Sequence, residues 1–336
     1  MDAVRKIAEA VLYEGYILWP YRRSTTKNQQ RWTFGGVYPR AYSESRGKDD
    51  PWLMQTQCLA SGDTESVIQV SVRFLHVTER KVGRKSGEIL EFVEGLQIGE
   101  EFYLPWDEAT EREISAGRLR LSELLETPER VGIDISGGRS EEELVDPTGE
   151  VLGVLVRSWR ELCGTVEVEA EALREGIFRL TVRITNTTPW EGEDRESTLR
   201  QTFCSTHTTL EVEGGEFVSM TDPPEEFRGS VEECENVETW PVLVGEEGER
   251  TMLLSSPIIL SDYPQIAPES PGDMFDGGEI DQLLILNILT LTDEEKAEMR
   301  ASDPRAREIL ERCESLSQEE LMNLHGAIRE FRVLRD

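Results

Sequence analysis

The chain is 336 residues long, with 36 Lys+Arg against 67 Asp+Glu and a formal net charge of −31. At roughly 100–200 residues per domain, this length allows two or three domains and a sizeable core. A 38% hydrophobic share is too high for a disordered polyelectrolyte, even with 31% charged residues, and the carboxylate excess argues against nucleic acid or an anionic membrane as the main partner.

Residues 2–18 read as a helix: Val4, Ile7, Ala8, Val11 and Leu12 recur at helical spacing, and Gly15 and Pro20 end it. The same stretch mixes Arg5 and Lys6 with Asp2, Glu9 and Glu14 and has no apolar core, which argues against a secretory signal. An aromatic and basic island follows. Residues 1–48 hold nine Lys/Arg and four Asp/Glu, a net of +5, which leaves −36 for the rest of the chain. Within it, Trp19, Tyr21, Arg22, Arg23, Lys27, Arg31 and Trp32 are candidate partner-binding residues. Aromatics among arginines anchor protein interfaces, stack on single-stranded nucleic acid, or dock onto the protein's own carboxylates.

From Ser66 to Met220 the period changes to two. Val67 to Leu75 alternates with Ile68 to His76, and Val151 to Trp159 is a second strand. Gly164–Leu173 and Ile177–Thr187 flank a hairpin turn at Arg174-Glu175-Gly176. Thr198–Val212 and Thr251–Leu260 add further strands, and the charge-rich Asp107–Ser115 reads as a short helix. The last 60 residues are helical. Thr292-Asp293-Glu294-Glu295 and Ser317-Gln318-Glu319-Glu320 match the capping box, and Asp303-Pro304 places an N-cap before a proline. Ala306, Ile309, Leu310 and Cys313 form one apolar stripe; Leu321, Leu324, Ile328 and Phe331 form another. The predicted fold is α+β: an antiparallel β-sandwich or open-barrel-like body with an N-terminal helix and a C-terminal helical subdomain. Its parts are residues 1–48, 49–265 and 266–336.

Two constellations carry ligand chemistry. Cys204 and His207 are both soft-cation ligands, with Cys58, Cys234 or a carboxylate to complete a set. They are equally a nucleophile and its base. Strand alternation puts them on opposite faces unless a bulge intervenes. Asp273, Asp276 and Glu279 lie in the acidic stretch 270–281, which offers oxygen ligands to Ca²⁺ or Mg²⁺ but lacks EF-hand spacing. That stretch reads equally as a loop entering a helix near Gly278. No phosphate-loop, dinucleotide, zincin or nucleophile-elbow motif occurs, and His76, His207 and His325 are the only histidines. The cofactor is unknown, and the inventory leans away from catalysis. The five cysteines are odd in number, far apart and without a Cys-x-x-Cys pair, the pattern of thiols in a reducing cytoplasm.

Two stretches carry a family likeness: Leu12 to Arg22 with Lys27-Asn28 and Arg31-Trp32, and Ala267 to Asp273 continuing to Leu289–Lys296. They resemble an uncharacterised family of bacterial proteins associated with gene clusters of high-affinity uptake nickel–iron hydrogenases. The likeness covers most of the chain and brings no catalytic or ligand residue with it. It implies an accessory role in hydrogenase maturation or assembly, with a hydrogenase subunit or maturation factor as protein partner. The alternative from the residues is a metal-binding protein or metal-dependent enzyme using Cys204 and His207 or the 273–281 loop.

Overall fold

The computed structural model describes residues 2–18, 20–22, 25, 28, 35–46, 50–99, 101–190, 192, 194–265 and 281–316. In chain order the elements begin with α1 (Asp2–Tyr13), α2 (Arg40–Arg46), β1 (Leu53–Ser86), β2 (Ile89–Val93), β3 (Leu96–Ile98) and β4 (Glu101–Tyr103). Next come β5 (Trp106–Arg120), α3 (Leu121–Glu126), β6 (Glu129–Ile135), β7 (Gly138–Val145), β8 (Val151–Trp159), β9 (Leu162–Arg174) and β10 (Ile177–Asn186). The remainder is α4 (Arg195–Leu199), β11 (Cys204–Phe217), α5 (Arg228–Glu232), β12 (Trp240–Leu243), β13 (Met252–Ser256), α6 (Asp281–Leu289), α7 (Asp293–Ser302) and α8 (Pro304–Ser315).

The 34-residue β1 is the spine of an 11-stranded antiparallel sheet. The path runs β12-β13-β11-β1-β10-β9-β6, with β2, β5 and β8 also on β1 and β7 on β8. The sheet is open, so the body is an open sandwich and not a closed barrel. Alternation sorts β1 into two cores. Ile68, Val70, Val72 and Phe74 pack with Leu180, Val182, Leu210 and Leu121 in one core, while Leu75 and Val77 turn to the other face. On that second face they meet Leu12, Tyr16, Ile17 and Tyr21 from the N-terminal segment, and Leu284, Ile288, Ile309 and Leu310 from the C-terminal helices. The segment from Leu12 to Tyr21 and the helices α6 to α8 thus cover the same side of the sheet. Both faces of β1 are buried there, so the run from Val70 to Val77 buries Arg73 and His76 along with its apolar residues.

The sheet departs from the sequence reading at β5. Asp107–Ser115 is not a helix but part of a strand that pairs with β1 from Val67↔Arg120 to Arg80↔Trp106. Its charges are answered across the ladder: Glu111 by Arg73 at 2.9 Å, Glu108 by Arg80 at 2.9 Å, and Glu113 by the Ser71 hydroxyl. Its apolar members, Ala109, Ile114 and Ala116, pack against the two cores. Two smaller shifts follow from local geometry. The first helix stops at Tyr13, with Gly15 at φ 73, and residues 195–199 form α4, so that β11 begins only at Cys204.

Elsewhere the local signals held. The hairpin β9–β10 turns at Gly176 with φ 71, and Val151–Trp159 is β8. Thr292 and Glu295 form the reciprocal capping box of α7, and Asp303 caps α8 ahead of Pro304. Ala306, Ile309, Leu310 and Cys313 are all buried; full burial of each large aliphatic contributes roughly 1.5–3 kcal/mol. The Ser317 box and the stripe 321–331 lie outside the described residues.

Candidate functional site

A bulge brings Cys204 and His207 to one face. Arg73 pairs with His207 and Leu75 with Cys204, so β11 carries one residue more than β1 over this span, and Ser205 takes φ 52 to accommodate it. The bulge also seats α1, since the Ser205 hydroxyl donates to Val11 O at 3.2 Å. Both side chains are buried. The Cys204 thiol points to Leu199 O and Thr202 O, and Cys58 sits in the other core, across the sheet, where it cannot complete a set with Cys204. Among the described residues no three His, Cys, Asp or Glu side chains gather as a metal site. Asp273, Asp276 and Glu279 lie outside the described residues. Burial pushes the Cys58 thiol upward and that of Cys313 to about 11, so neither is a thiolate near neutral pH.

Around His207 the terminal segments are held by charge. The Tyr13 hydroxyl donates to Glu111 at 2.7 Å, and Arg73 reaches the other carboxylate oxygen. Arg305 lies over the Tyr13 ring, 3.4 Å from its centroid, with its guanidinium 3.5 Å from Glu111. Burial alone raises the Glu111 carboxyl, but hydrogen bonds from Tyr13 and Arg73 hold it below its usual range. Of the aromatic–basic island, Tyr21 is wholly buried, with φ 59, and Arg22 pairs with Glu295 of α7 at 2.8 Å. Tyr21 therefore presents no surface to a partner, and Arg22 fastens the island to the C-terminal helices. Trp19, Arg23, Lys27, Arg31 and Trp32 lie outside the described residues.

The buried histidines carry a pH dependence. Burial, then the charge of Arg73, brings His207 down to about 4; burial, then Arg112, does the same to His76. Nε2 of each is buried without a hydrogen-bond partner. The unfolded chain titrates at about 6.5, so below that pH it binds protons that the folded chain refuses. Stability is complete above that value and falls as the pH drops toward 4. From about pH 7.5 to about pH 5 the expected loss is about 2 kcal/mol per histidine. Urea unfolding at the two pH values measures it, and His207→Gln should remove about half of the histidine contribution.

A cleft of about 540 Å³ opens between α4, Asn28 and the strands β1 and β2. Glu79 receives Arg200 at 3.0 Å and Lys81 at 3.1 Å, and Arg200 also reaches Asp107 at 3.5 Å. The charges lining this side of the cleft therefore answer one another. Phe92 and Glu94 lie on its rim. Phe92 belongs to β2 and Glu94 follows it; among the described residues β2 pairs with β1 alone. Ile89 is 71% exposed, Leu90 37% and Phe92 53%, large apolar side chains standing on the two faces of one short strand. The five residues Ile-Leu-Glu-Phe-Val are too few, with Glu91 at their centre, to show an apolar–polar alternation in the sequence. The available signal was Glu88 and Glu94 on either side of the strand with Glu91 at its centre, the pattern of charged residues that guard an exposed strand.

Among the described residues no helix is long and apolar enough to cross a membrane. No protein-family model matches the chain, and no curated protein matches it either.

Proposed function

We propose that this chain is a non-enzymatic accessory protein that works by contact with a protein partner in the cytoplasm. The observation that carries this reading is β2, which among the described residues pairs with β1 alone and leaves Ile89 and Phe92 in solvent. Aromatic and aliphatic anchors of this kind supply most of the energy of a protein interface. The acidic body supports a protein partner over nucleic acid or an anionic membrane. The likeness of Leu12–Arg22 and Ala267–Lys296 to the hydrogenase-associated family points the choice of partner to the assembly or maturation of a nickel–iron hydrogenase.

The test is co-expression of the tagged chain with the large and small subunits of such a hydrogenase. Wild type should retain a subunit, and Ile89→Ser/Phe92→Ser should lower its recovery by about tenfold or more, at unchanged circular dichroism. Equal recovery by the two chains would overturn the reading.

A further inference from the structure

We infer that α1 is an acid-sensitive cover, which opens from the sheet when His207 beneath it takes up a proton while the strands under it stay paired. The ladder puts the imidazole under the helix. His207 lies opposite Arg73 in the β1–β11 pairing and so shares the face of Leu75 and Val77, on which Leu12 and Tyr13 pack. One strand further, Leu254 lies opposite Thr209, shares that face and packs with Ala8 and Val11. His207 is wholly buried there. Its Nδ1 lies 3.4 Å from Ser205 O, and Nε2 has no hydrogen-bond partner. A neutral ring tolerates that setting. An imidazolium carries two N–H donors and a charge, and burying them unanswered is costly.

Among the described residues the charges around the ring leave no unspent anion for a new cation. Arg73 faces it from β1, Glu111 from β5, Tyr13 from α1 and Arg305 from α8, with the Cys204 thiol on its own strand. Arg5, Lys6 and Glu9 of α1 are exposed, and neither β13 nor Gly35–Val37, which bonds to Phe203 and Thr206, has a charged residue. Glu111 already receives Tyr13 at 2.7 Å, Arg73 at 2.9 Å and Arg305 at 3.5 Å. Two cations thus share one carboxylate, and a proton on His207 makes a third. That charge needs water.

Of the elements around the ring, α1 yields at least cost. β11 is laddered to β1 on one side and to β13 on the other, and moving it breaks both sets of backbone bonds. α1 is held by side chains: Ala8, Val11 and Leu12 in apolar contact, the Tyr13 hydroxyl on Glu111, and the Ser205 hydroxyl on Val11 O. A helix of 12 residues is marginal alone in water, so once lifted it also frays. Lifting it uncovers Val242, Val244 and Leu254, so acid exposes an apolar strip of the sheet. His76 gives the contrast. It stands on the other face of β1, 3.4 Å from Arg112, and its protonation does not act on α1.

With α1 closed, burial and then Arg73 keep His207 neutral down to about 4, whereas an opened α1 lets it titrate near its usual 6.5. Below the higher value the opened form gains a proton that the closed form refuses. The opening equilibrium therefore rises about 25-fold from about pH 7.5 to about pH 5.

Hydrogen–deuterium exchange on the full chain, with rates normalised to the intrinsic amide rate at each pH, reads this opening. Protection of Ile7 to Tyr13 should fall about 25-fold over that pH range. At both pH values it should stay below that of Phe178 to Ile184 in β10, whose release requires the sheet to unfold. His207→Gln should abolish the fall in α1, and His76→Gln should leave it unchanged. Equal protection of α1 and β10 would mean that the helix leaves only with the whole fold, and would overturn the inference. So would an α1 protection that does not fall in acid, a fall that survives His207→Gln, or one that His76→Gln reduces as much. The comparison of α1 with β10 needs only the wild-type chain, and it decides the matter even if His207→Gln does not fold.

Discussion

Asp303→Ala should lower folding stability by about 4 kcal/mol, read as a fall in the urea midpoint with an unchanged slope. Asp303 is 2% exposed and serves three donors. Its Oδ1 accepts the Arg305 N–H at 2.8 Å and so caps α8; its Oδ2 accepts the Tyr16 hydroxyl at 2.6 Å and Trp106 Nε1 at 3.1 Å. The cap alone is worth about 1 kcal/mol, and each buried donor left without an acceptor costs about 1–3 kcal/mol. Tyr16 follows α1, Trp106 opens β5 and Asp303 joins α7 to α8. One carboxylate therefore ties the segment after α1 and the α7–α8 junction to the sheet. A loss below about 1 kcal/mol would mean that these contacts are incidental.

Arg80→Met should cost a comparable amount, about 3–5 kcal/mol. The guanidinium is 7% exposed and reaches four groups. Nε and Nη2 donate to Leu104 O at 3.1 and 2.8 Å, Nη2 also to Ala301 O at 3.1 Å and Ser302 O at 2.9 Å, and Nη1 pairs with Glu108 at 2.9 Å. Ala301 and Ser302 close α7, so the cation also answers the negative end of that helix. Methionine fills part of the volume but strands these carbonyls. Arg80→Lys should recover less than half of the loss, because one ammonium cannot span carbonyls and carboxylate as the planar fork does. Urea unfolding of the two variants side by side tests this, and a lysine chain as stable as wild type would contradict it.

What was legible in the sequence was local. Thr292 with Glu295, and Asp303 before Pro304, act within one helical turn, and the stripe Ala306 to Cys313 needs only helical spacing. The hairpin at Gly176 is likewise a matter of neighbours. β5 was not legible, because its charges are balanced by Arg73 and Arg80 on β1, some thirty to forty positions earlier, and a charged run without its cross-strand partners looks like a solvated helix. The bulge at Ser205 was hidden for a similar reason: a serine at positive φ carries no mark in the sequence, and only the pairing with Arg73 and Leu75 exposes it. The aromatic–basic island was noticed for its composition, and two of its members proved to have inward roles, with Tyr21 in the core and Arg22 on Glu295. β2 drew no notice, since exposure is a property of the assembled sheet.

In the proposed contact β2 is the docking surface, while the segment around Tyr21 and Arg22 fastens the fold. Recovery of the hydrogenase subunits on three tagged chains, wild type, Ile89→Ser/Phe92→Ser and Arg22→Gln, separates the two roles. The β2 chain should lose the subunit by about tenfold or more while Arg22→Gln retains it. Loss with Arg22→Gln and full retention by the β2 chain would contradict it.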